Sequence, residues 1–544
     1  MAGSSWYRSL GRVLRAADFC EQRKIPTGEG LEIFTAQNSH HRVSRREFLS
    51  EAGRLAAVGA AAVVVDPLTR AMAASRLTRS PIKVGIVGAG LAGLACAYEL
   101  KRKGIIATLF DANDRVGGRC WSLRNVFPGQ VAERGGEFID TPHRTLLGYV
   151  NEFKLAVEDV DKQPGEVFYY FNGYRYSESL VVDEYRALVP ALRSDLRKLS
   201  NEPTALNHTI EDELLDRTSL EEYLDSRRAA PLIRAVIEQA YKAEYGLEID
   251  GQSCLNFLLF IHADRRSKFT PFGVFSDERY HVVEGNDRIA EGLSERLPGQ
   301  IQLGMRLVQA RKTAAGKIKL SLAQEASIRQ EIFDAVVLAL PFTTLREVDL
   351  DASLGLPNVK MDAINSLGYG TNAKMMVGFN GRPWMSLGSN GEAYSDLANH
   401  QLTWETNPLM ATANRGVLTD YSSGERGATL DPSDPQGEAG LFLTDLDKVF
   451  PGALAAATRA NRLFRVHLEH WPSNPLTQGS YTCYRPGQFT SIAGTEGTSV
   501  GNLYFAGEHA NSFYEWQGFM EGAALSGVQA AKEILKDFKA GELG

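Results

Sequence analysis

The residues with the most informative spacing in this chain are three glycines and one acid. Gly88, Gly90 and Gly93 form a Gly-x-Gly-x-x-Gly pattern, and Asp111 follows about 20 residues later. In such a pattern Gly88 permits a tight turn, Gly90 lets the backbone approach a pyrophosphate, and Gly93 allows a helix to pack closely on a strand. Asp111 could accept a hydrogen bond from a ribose hydroxyl. These residues could therefore bind a dinucleotide.

The surrounding sequence supplies the elements that must position these residues. Residues 82–87 are mostly apolar and β-branched, which is typical of a strand buried on both faces. Helical spacing follows from Leu94 to Lys101, so the N–H groups at the start of a helix would face the phosphates. A second apolar run at 105–110 ends at Asp111. A glycine pattern alone is weak, but this order of strand, turn, helix, strand and acid predicts a dinucleotide-binding domain.

The bulk composition excludes several classes of protein. With 544 residues, of which 44% are hydrophobic and 23% charged, the chain is expected to be globular and to have more than one domain. The net charge of -7, without a dense Lys/Arg stripe, argues against a nucleic-acid surface. The five cysteines and ten histidines have no metal-ligand spacing, so no metal site is expected.

The N-terminal region has the features of an export signal. Residues 1–43 are mixed polar and apolar without a clear period, and Arg45-Arg46 follow. An alanine-rich stretch at 55–65 is too short for a comfortable membrane span, and small residues at 71–73 suit a cleavage site. We expect a twin-arginine signal over 44–73, export by the twin-arginine machinery to the periplasm or cell exterior, and no transmembrane segment afterwards. The alternative is a buried N-terminal helix that happens to begin with two arginines.

Three separated motifs resemble the flavin (FAD-dependent) amine oxidase family, which includes monoamine oxidases and L-amino-acid oxidases. They are the DRVGGR sequence at 114–119, the Gly-Gly turn within 131–140, and the FAGE and WQGFMEGA sequences within 502–523. The resemblance extends over residues 82–537. It implies a bound FAD and a reaction at the carbon that bears an amine.

The resemblance also implies which residues surround FAD. Gly118 and Arg119 would pack against the flavin-side phosphates, the Gly135-Gly136 turn would pass under the flavin ring, and the backbone near Val308 would contact the adenine. The helix that begins at 518–522 would place its N-terminus where the flavin develops negative charge. The expected cofactor contacts are Gly88, Gly90, Gly93, Asp111, Gly118, Arg119, Gly135, Gly136, Val308, Gly507, Glu508 and Met520.

The expected fold class is α/β, with a Rossmann-like FAD-binding domain interleaved with an α+β substrate-binding domain. The latter would combine a mixed sheet with a helical insertion, since apolar residues recur at three- and four-residue spacing after residue 145. Pro190 and Pro231 suit first helical turns. The expected parts are an extension at 1–43, the signal at 44–73, FAD-binding segments at 80–144, 283–349 and 495–538, the helical insertion at 145–282, and the substrate-domain sheet at 350–494.

Four aromatic residues are expected to be catalytic. By the resemblance, Tyr481 and Phe519 flank the flavin face as a slot that aligns an amine by its apolar neighbours. Phe519 stands where monoamine oxidases place one tyrosine of an aromatic pair. Trp404 lies where L-amino-acid oxidases line their pocket, and Trp516 begins the closing segment.

Charged residues are expected to select the substrate. The arginine that binds the substrate carboxylate in many L-amino-acid oxidases should fall near Phe138, and phenylalanine cannot make that pair. Arg485 or Arg134 could supply the charge from another direction, and residues 486–489 resemble the P-x-Q-F of these enzymes. Three glutamates could favour a second positive group on the substrate if they face the pocket, or could be solvated surface. They are Glu137, Glu405 and Glu515.

Two features of the family's flavin site are altered here. Many members hold a flavin-adjacent lysine in the stretch that corresponds to 341–350, which contains no lysine in this chain. Arg346 could substitute, the water could be held otherwise, or reoxidation by oxygen could be slow; Lys374 is interpreted as structural. Monoamine oxidases attach the flavin through a cysteine, whose place is taken by Ser480, a poor substitute for a thiolate. Since Cys483 lies three residues further on, we expect non-covalent FAD.

The expected reaction is oxidative deamination of a small-molecule amine or amino acid, with oxygen or another electron acceptor. The preferred substrate class is an L-amino acid with a long or basic side chain, giving an imine, then a 2-oxo acid, ammonia and hydrogen peroxide. One alternative is a monoamine or polyamine oxidase, which would give an aldehyde. A flavoprotein that desaturates C–C bonds and a flavin-binding protein without catalysis are further alternatives.

Overall fold

The parallel sheet of the nucleotide-binding domain is assembled from strands that are far apart in the chain. The computed structural model describes residues 6–40, 82–261, 276–412 and 414–543. Neighbouring strands of this sheet all pair in parallel, and the two central strands are fully buried, as expected for a sheet covered on both faces. The strand order is Leu503–Phe505, Ala335–Leu338, Val84–Val87, Ala107–Phe110 and Ile301–Gln302.

Two long helices cover this sheet. The helix Leu91–Arg102 follows the glycine turn, and the helix Met520–Ala540 packs directly on it. The two can approach because a Cβ at Gly527 would lie only 2.0 Å from the carbonyl oxygen of Ala92. Apolar residues of both helices and of the sheet form one core. The last segment of the chain is thereby fixed next to the first strand.

A smaller sheet is interleaved in the chain with the strands of the nucleotide-binding sheet. Three of its strands form an antiparallel meander, with Gly316 in the first turn. A bulge lies between Leu307 and Gln309. The strands are Ser327–Phe333, Ile318–Gln324, Arg306–Lys312 and Asp349–Leu350, in spatial order.

The substrate domain contains a mixed seven-stranded sheet. Two of its strands, Glu166–Phe171 and Tyr174–Tyr176, belong to the region 145–282, which was predicted to be helical. That prediction is wrong for these strands, because their aromatic and β-branched residues favour strands. Glu166–Phe171 pairs with Ser389–Leu397 on one side and with Tyr174–Tyr176 on the other. The order is Val466–His470, Ala373–Phe379, Gly416–Ser422, His400–Glu405, Ser389–Leu397, Glu166–Phe171 and Tyr174–Tyr176.

Most other elements that the structure describes in the region 145–282 are helices, as predicted, and the exceptions are the short strands Val157–Asp159 and Tyr280–Val282. Ser219 and Glu222 form a capping box at the start of one helix, and Pro231 opens another. The helices are Arg144–Glu152, Glu178–Arg186, Val189–Leu196, Ile210–Asp216, Leu220–Ser226, Pro231–Tyr245 and Cys254–Ile261. The predicted fold class, α/β with a helical and sheet-containing substrate domain, is confirmed.

Short elements connect these units. The paired short strands are Ser122–Leu123 with Ala132–Glu133, Val157–Asp159 with Tyr280–Val282, and Arg459–Ala460 with Leu463–Phe464. The remaining α-helices are Asp287–Glu295, Phe342–Leu345, Asn358–Ser366, Pro383–Ser386, Gly424–Thr429, Pro435–Val449, Ala453–Ala456 and Gln488–Ser491. The 3-10 turns are Val160–Lys162, Ala352–Leu354 and Glu508–Ala510.

The described part of the N-terminal extension forms a helical hairpin, although its sequence has no clear period. Its helices are Trp6–Arg23 and Thr27–His40, and both pack against the helix Glu178–Arg186 of the substrate domain. The expected signal at 44–73 lies outside the described residues. Within the described ranges, the structure contains no helix that is both long and apolar enough to span a bilayer.

Candidate active site

The three glycines of the first turn have distinct geometries. Gly88 has φ of +108°, and a Cβ there would lie 2.3 Å from the carbonyl oxygen of Ala339. A Cβ at Gly93 would lie 1.9 Å from the carbonyl oxygen of Gly88, so this glycine lets the helix pack on the turn. The space beside Gly90 is open, since the nearest atom to its absent Cβ is the Cα of Gly118 at 4.0 Å. The open space at Gly90 faces the cleft described next.

A large cleft runs from the glycine turn to the start of the last helix. We call it the glycine-loop cleft; it contains about 1230 Å³ of empty space, part of which is open solvent. Two sections of its wall are residues 305–307 and the loop 474–477. Eight of the expected cofactor residues line it: Gly88, Gly90, Asp111, Gly118, Arg119, Gly507, Glu508 and Met520.

The other four expected cofactor residues lie behind or beside this lining. Gly93 is packed under the turn, and Val308 is the bulged residue next to Leu307 of the wall. A Cβ at Gly135 would lie 1.7 Å from the carbonyl oxygen of Arg119, and a Cβ at Gly136 would lie 2.6 Å from the side chain of Met520. The Gly-Gly turn therefore supports two residues of the wall.

The carboxylate of Asp111 is fixed at the end of the second strand. Its Oδ2 accepts from the N–H of Ala89 at 2.6 Å, and its Oδ1 accepts from the N–H of Asn113 at 2.8 Å. Burial raises the pKa of Asp111, although both hydrogen bonds act in the opposite direction. The same side chain thus holds the glycine turn in place and remains on the wall of the cleft.

Arg119 is neutralised by a carboxylate at the centre of the cleft. Its guanidinium donates to Glu508 Oε1 at 3.0 Å and to the carbonyl of Ser480 at 2.6 Å. Thr482 donates to the other oxygen of Glu508 at 2.9 Å. Burial is the largest single effect and raises the pKa of Glu508, but the attraction of Arg119 and smaller effects that include the hydrogen bond from Thr482 together outweigh it, and the pKa is lowered. This pair ties the first and last segments of the nucleotide-binding domain to the segment around Tyr481.

The expected catalytic aromatics lie together beside the cleft. Tyr481 and Phe519 both line a second cavity, which we call the aromatic cavity; it contains about 380 Å³ of empty space, part of which is open solvent. Phe519 also lines the glycine-loop cleft, so the two spaces share this residue as part of their walls. Trp516 packs edge-on against Phe519 at 5.7 Å between ring centroids. Trp404 packs against Tyr421, and the hydroxyl of Tyr421 lies 3.0 Å from the hydroxyl of Tyr481. Trp404 is therefore separated from Tyr481 by the ring of Tyr421.

Lys374 lies at the Gly-Gly turn. Its Nζ donates to the carbonyl of Gly135 and to Glu137 Oε2, both at 2.7 Å, and its side chain is buried. Trp404 donates from its indole nitrogen to the other oxygen of Glu137 at 2.8 Å. The ammonium also lies 5.9 Å from the ring centre of Tyr421. A buried cation therefore stands between the turn expected beneath the flavin and the aromatic residues of the substrate side.

Arg346 does not take the place of this lysine. It donates to the carbonyl oxygens of Ile364 at 2.7 Å and of Leu367 at 2.6 Å, so its charge caps a neighbouring helix. Burial lowers the pKa of Arg346. The expectation that this arginine could replace a flavin-adjacent lysine is therefore not supported by its position.

The glutamates proposed to attract a second positive group are engaged elsewhere. Glu137 binds Lys374 and Trp404, and the buried Glu405 accepts from Arg382 and from Gln163. Glu515 lies near Asn511 and Gln529, each at 3.5 Å. The three are also not solvated surface, since Glu137 and Glu405 are buried and Glu515 is half-buried.

The two arginines proposed to bind a carboxylate also lie elsewhere. Arg134 forms an ion pair with Glu469 and stacks on Trp121. Arg485 is exposed beside Gly368. Phe138, near which the family arginine was expected, packs on Trp404 with ring centroids 5.9 Å apart.

The aromatic cavity has wall residues that the sequence analysis missed. Glu244 and Tyr245 come from the end of the helix Pro231–Tyr245, and Gln517 comes from the closing segment. Glu244 is buried on an otherwise largely apolar helix face, which is the signal that could have singled it out. Its main-chain carbonyl accepts from the hydroxyl of Tyr481. Within the described residues, no cluster of three His, Cys, Asp or Glu side chains could hold a metal ion.

The chain is similar to known oxidoreductases along most of its length. The family model for flavin containing amine oxidoreductases matches residues 91–535. The L-amino-acid oxidase of Pseudechis australis is 22% identical over 478 residues, covering 84% of this chain and 87% of that protein. The L-amino-acid oxidase of Naja atra is 23% identical over 478 residues, with 84% and 88% covered.

Solved structures show the same fold. A wild-type putrescine oxidase bound to putrescine superposes with a TM-score of 0.69 at 19% identity, over 84% of this chain and 99% of that one. Cyclohexylamine oxidase from Brevibacterium oxydans IH-35A superposes with a TM-score of 0.72 at 19% identity, over 85% and 100%. At these identities the likeness concerns the fold.

Proposed function

Because the chain belongs to the flavin containing amine oxidoreductase family, we propose that it carries out FAD-dependent oxidative deamination, with L-amino acids as its substrates. FAD, when bound, would accept the hydride equivalents from the carbon that bears the amine and pass electrons to oxygen or another acceptor. The products would be an imine, which water converts to a 2-oxo acid and ammonia, and hydrogen peroxide when oxygen is the acceptor.

The glycine-loop cleft has the features that FAD requires. The open space at Gly90 and the start of the helix Leu91–Arg102 suit a diphosphate, and Asp111 stands where a ribose would lie. Lys374, rather than a residue of 341–350, would supply the positive charge beside the flavin, since its ammonium contacts Gly135 of the turn. A fixed buried cation there would stabilise negative charge as it develops.

The observation that carries the proposal is the shared wall at Phe519. Phe519 lines both the aromatic cavity and the glycine-loop cleft, and Tyr481 also lines the aromatic cavity. Two aromatic faces would orient the apolar part of an amine so that its carbon points towards the cofactor. The hydroxyl of Tyr481 is held by Tyr421 and by the end of a helix, so this face is rigid.

Different observations support two different substrate classes. The curated relatives named above are L-amino-acid oxidases, which favours an amino acid. The described wall of the aromatic cavity, however, contains no arginine or lysine to pair with a carboxylate, and Glu244 is its one acidic residue. A monoamine or polyamine oxidase is therefore the second candidate, and a basic side chain is favoured in either case.

A substrate panel separates these candidates. Lysine, arginine, glutamine and phenylalanine are expected to turn over. Phenethylamine, which is the decarboxylated analogue of phenylalanine, and two further amines, tyramine and putrescine, are expected to react at least about tenfold more slowly. Peroxide release and dye reduction are measured in parallel, so that an oxidase and a dehydrogenase are both detected. If all the amino acids are inert while the amines react, the second candidate is correct. If neither group reacts, amine oxidation itself is contradicted.

FAD is proposed to be bound without a covalent link. The hydroxyl of Ser480 donates to Asn372 at 2.6 Å, and Cys483 is buried, where desolvation raises the pKa of its thiol. A protonated thiol is a poor nucleophile, so acid precipitation is expected to release all the flavin into the supernatant. Yellow colour retained in a washed, denatured pellet would show that a covalent bond had formed.

Export by the twin-arginine route, to the periplasm or the cell exterior, belongs to the same proposal. It is supported by the sequence of residues 44–73 alone. Such a route would suit a protein that acquires FAD before it leaves the cytoplasm.

A further inference from the structure

The N-terminal helix buries a continuous apolar stripe in the substrate domain. The stripe has helical spacing, with residues three or four apart on one face. All of its members are buried, and the apolar ones at its centre belong to the same core as Val181 and Tyr185 of the helix Glu178–Arg186. The stripe consists of Leu10, Val13, Leu14, Ala17 and Cys20.

Polar contacts fix the hairpin in one position on this surface. Arg12 makes two contacts with the carboxylate of Glu178, at 2.8 and 3.2 Å. Asp18, which is buried, pairs with Arg193. The hydroxyl of Thr27, at the start of the second helix, donates to Asp183 and accepts from Arg186 at 2.8 Å. These are contacts of a folded interface, since apolar burial and paired charges coincide on one face.

A cleaved export leader is removed from the mature protein, whereas this hairpin forms a folded interface with the substrate domain. The hairpin at 6–40 precedes the expected signal, and cleavage after Ala73 would separate it from the rest of the chain. We propose that residues 6–40 are a permanent part of the substrate domain, which stay bound as a separate fragment if the chain is cut after Ala73. Loss of the hairpin would expose Val181, Val182 and Tyr185, which are fully buried.

The hairpin also supports the aromatic cavity. Its first helix packs against the helix Pro231–Tyr245, which ends in Glu244 and Tyr245 of the cavity wall. The carbonyl oxygens of Ala243 and Glu244 accept from the hydroxyl of Tyr481. Removal of the hairpin is therefore expected to reduce turnover as well as stability.

The test is to cut the complete protein and ask whether the fragment leaves. A protease recognition sequence is placed between Ala73 and Pro81 of the full chain, and the purified protein is digested to completion. The N-terminal fragment should then co-elute with the remainder in gel filtration, with an unchanged melting temperature, until denaturant is added. A fragment that separates from a remainder with unchanged melting temperature would overturn the proposal. This readout does not depend on any enzymatic activity.

Two aspartate substitutions give a matched comparison. Val13→Asp places a charge in the buried stripe, whereas Gly28→Asp adds the same side chain at an exposed position with no atom within 4 Å. In the cut protein, Val13→Asp should weaken retention of the fragment by about tenfold or more, and Gly28→Asp should not. Equal retention of both variants would contradict the role of the stripe.

Exchange of one ion pair tests the docking position. Asp18→Arg should release the fragment from the cut protein because it opposes Arg193, and the further change Arg193→Asp should restore retention. A general loss of folding would not be rescued in this way. Retention of the fragment by the Asp18→Arg single variant, or failure of the double variant to retain it, would contradict the assigned contact.

Discussion

Replacement of Gly90 with alanine is expected to leave the protein folded and to remove most of its FAD. The nearest atom to a Cβ at this position is 4.0 Å away, and the backbone φ of -74° suits alanine, so the methyl group meets no protein atom. The helix-cap position costs about 1 kcal/mol or less. The methyl group would instead occupy the space proposed for the diphosphate. We expect FAD affinity to fall about 10- to 100-fold, or about 1.4–2.8 kcal/mol.

The measurement is the dissociation constant of FAD for the reconstituted apoprotein, together with its melting temperature without FAD. Gly148→Ala is the matched control, because this helical glycine also has open space around its absent Cβ but lies in the helix Arg144–Glu152, away from the cleft. The control should keep its FAD affinity. Equal affinities for the Gly90→Ala protein and the unmodified protein would show that the diphosphate does not approach this turn.

Replacement of Lys374 with methionine is expected to slow the flavin chemistry by about 100-fold or more. The ammonium contacts Gly135 and Glu137 and is fully enclosed, so no mobile solvent cation can take over its charge. The variant should also lose about 3–5 kcal/mol of stability, since the charge of Glu137 is then left buried without this partner. Anaerobic reduction by substrate and reoxidation by oxygen are followed separately.

A double variant separates the two effects. Lys374→Met with Glu137→Gln removes both charges, so it should recover part of the stability and none of the rate. Lys360→Met is the control for loss of a buried lysine: burial lowers the pKa of Lys360 to about 7, and its Nζ donates to the carbonyl of Glu496. If Lys374→Met keeps normal rates in both half-reactions, Lys374 has only the structural role first assigned to it.

Features of the fold that depend on the spacing of nearby residues could be predicted from the sequence, whereas features that depend on pairing between distant segments could not. The positions of Gly88, Gly90 and Gly93 could be predicted because their roles depend on neighbours within one turn. The position of Lys374 could not, because it follows from sheet register: Lys374 pairs with Tyr421 on one side and Glu469 on the other. No spacing within the strand indicates that its side chain reaches the Gly-Gly turn.

Two further features of the structure were not predicted from the sequence, for different reasons. The N-terminal helix was missed although Leu10, Val13, Leu14 and Ala17 have helical spacing, because the region also carries many polar residues. Glu244 was missed because its helix looked like ordinary core, and only the tertiary structure brings the end of that helix to Tyr481.

The most direct test of the proposed function is anaerobic mixing of the FAD-loaded protein with amino acids and amines, while the visible absorbance of the flavin is recorded. We predict that at least one L-amino acid, or failing that one amine, bleaches the flavin, and that Phe519→Ala, which opens the shared wall, slows this reduction about tenfold or more without loss of FAD. If dithionite reduces the bound flavin but no compound of either class does, the protein is not an amine oxidoreductase of the kind proposed here.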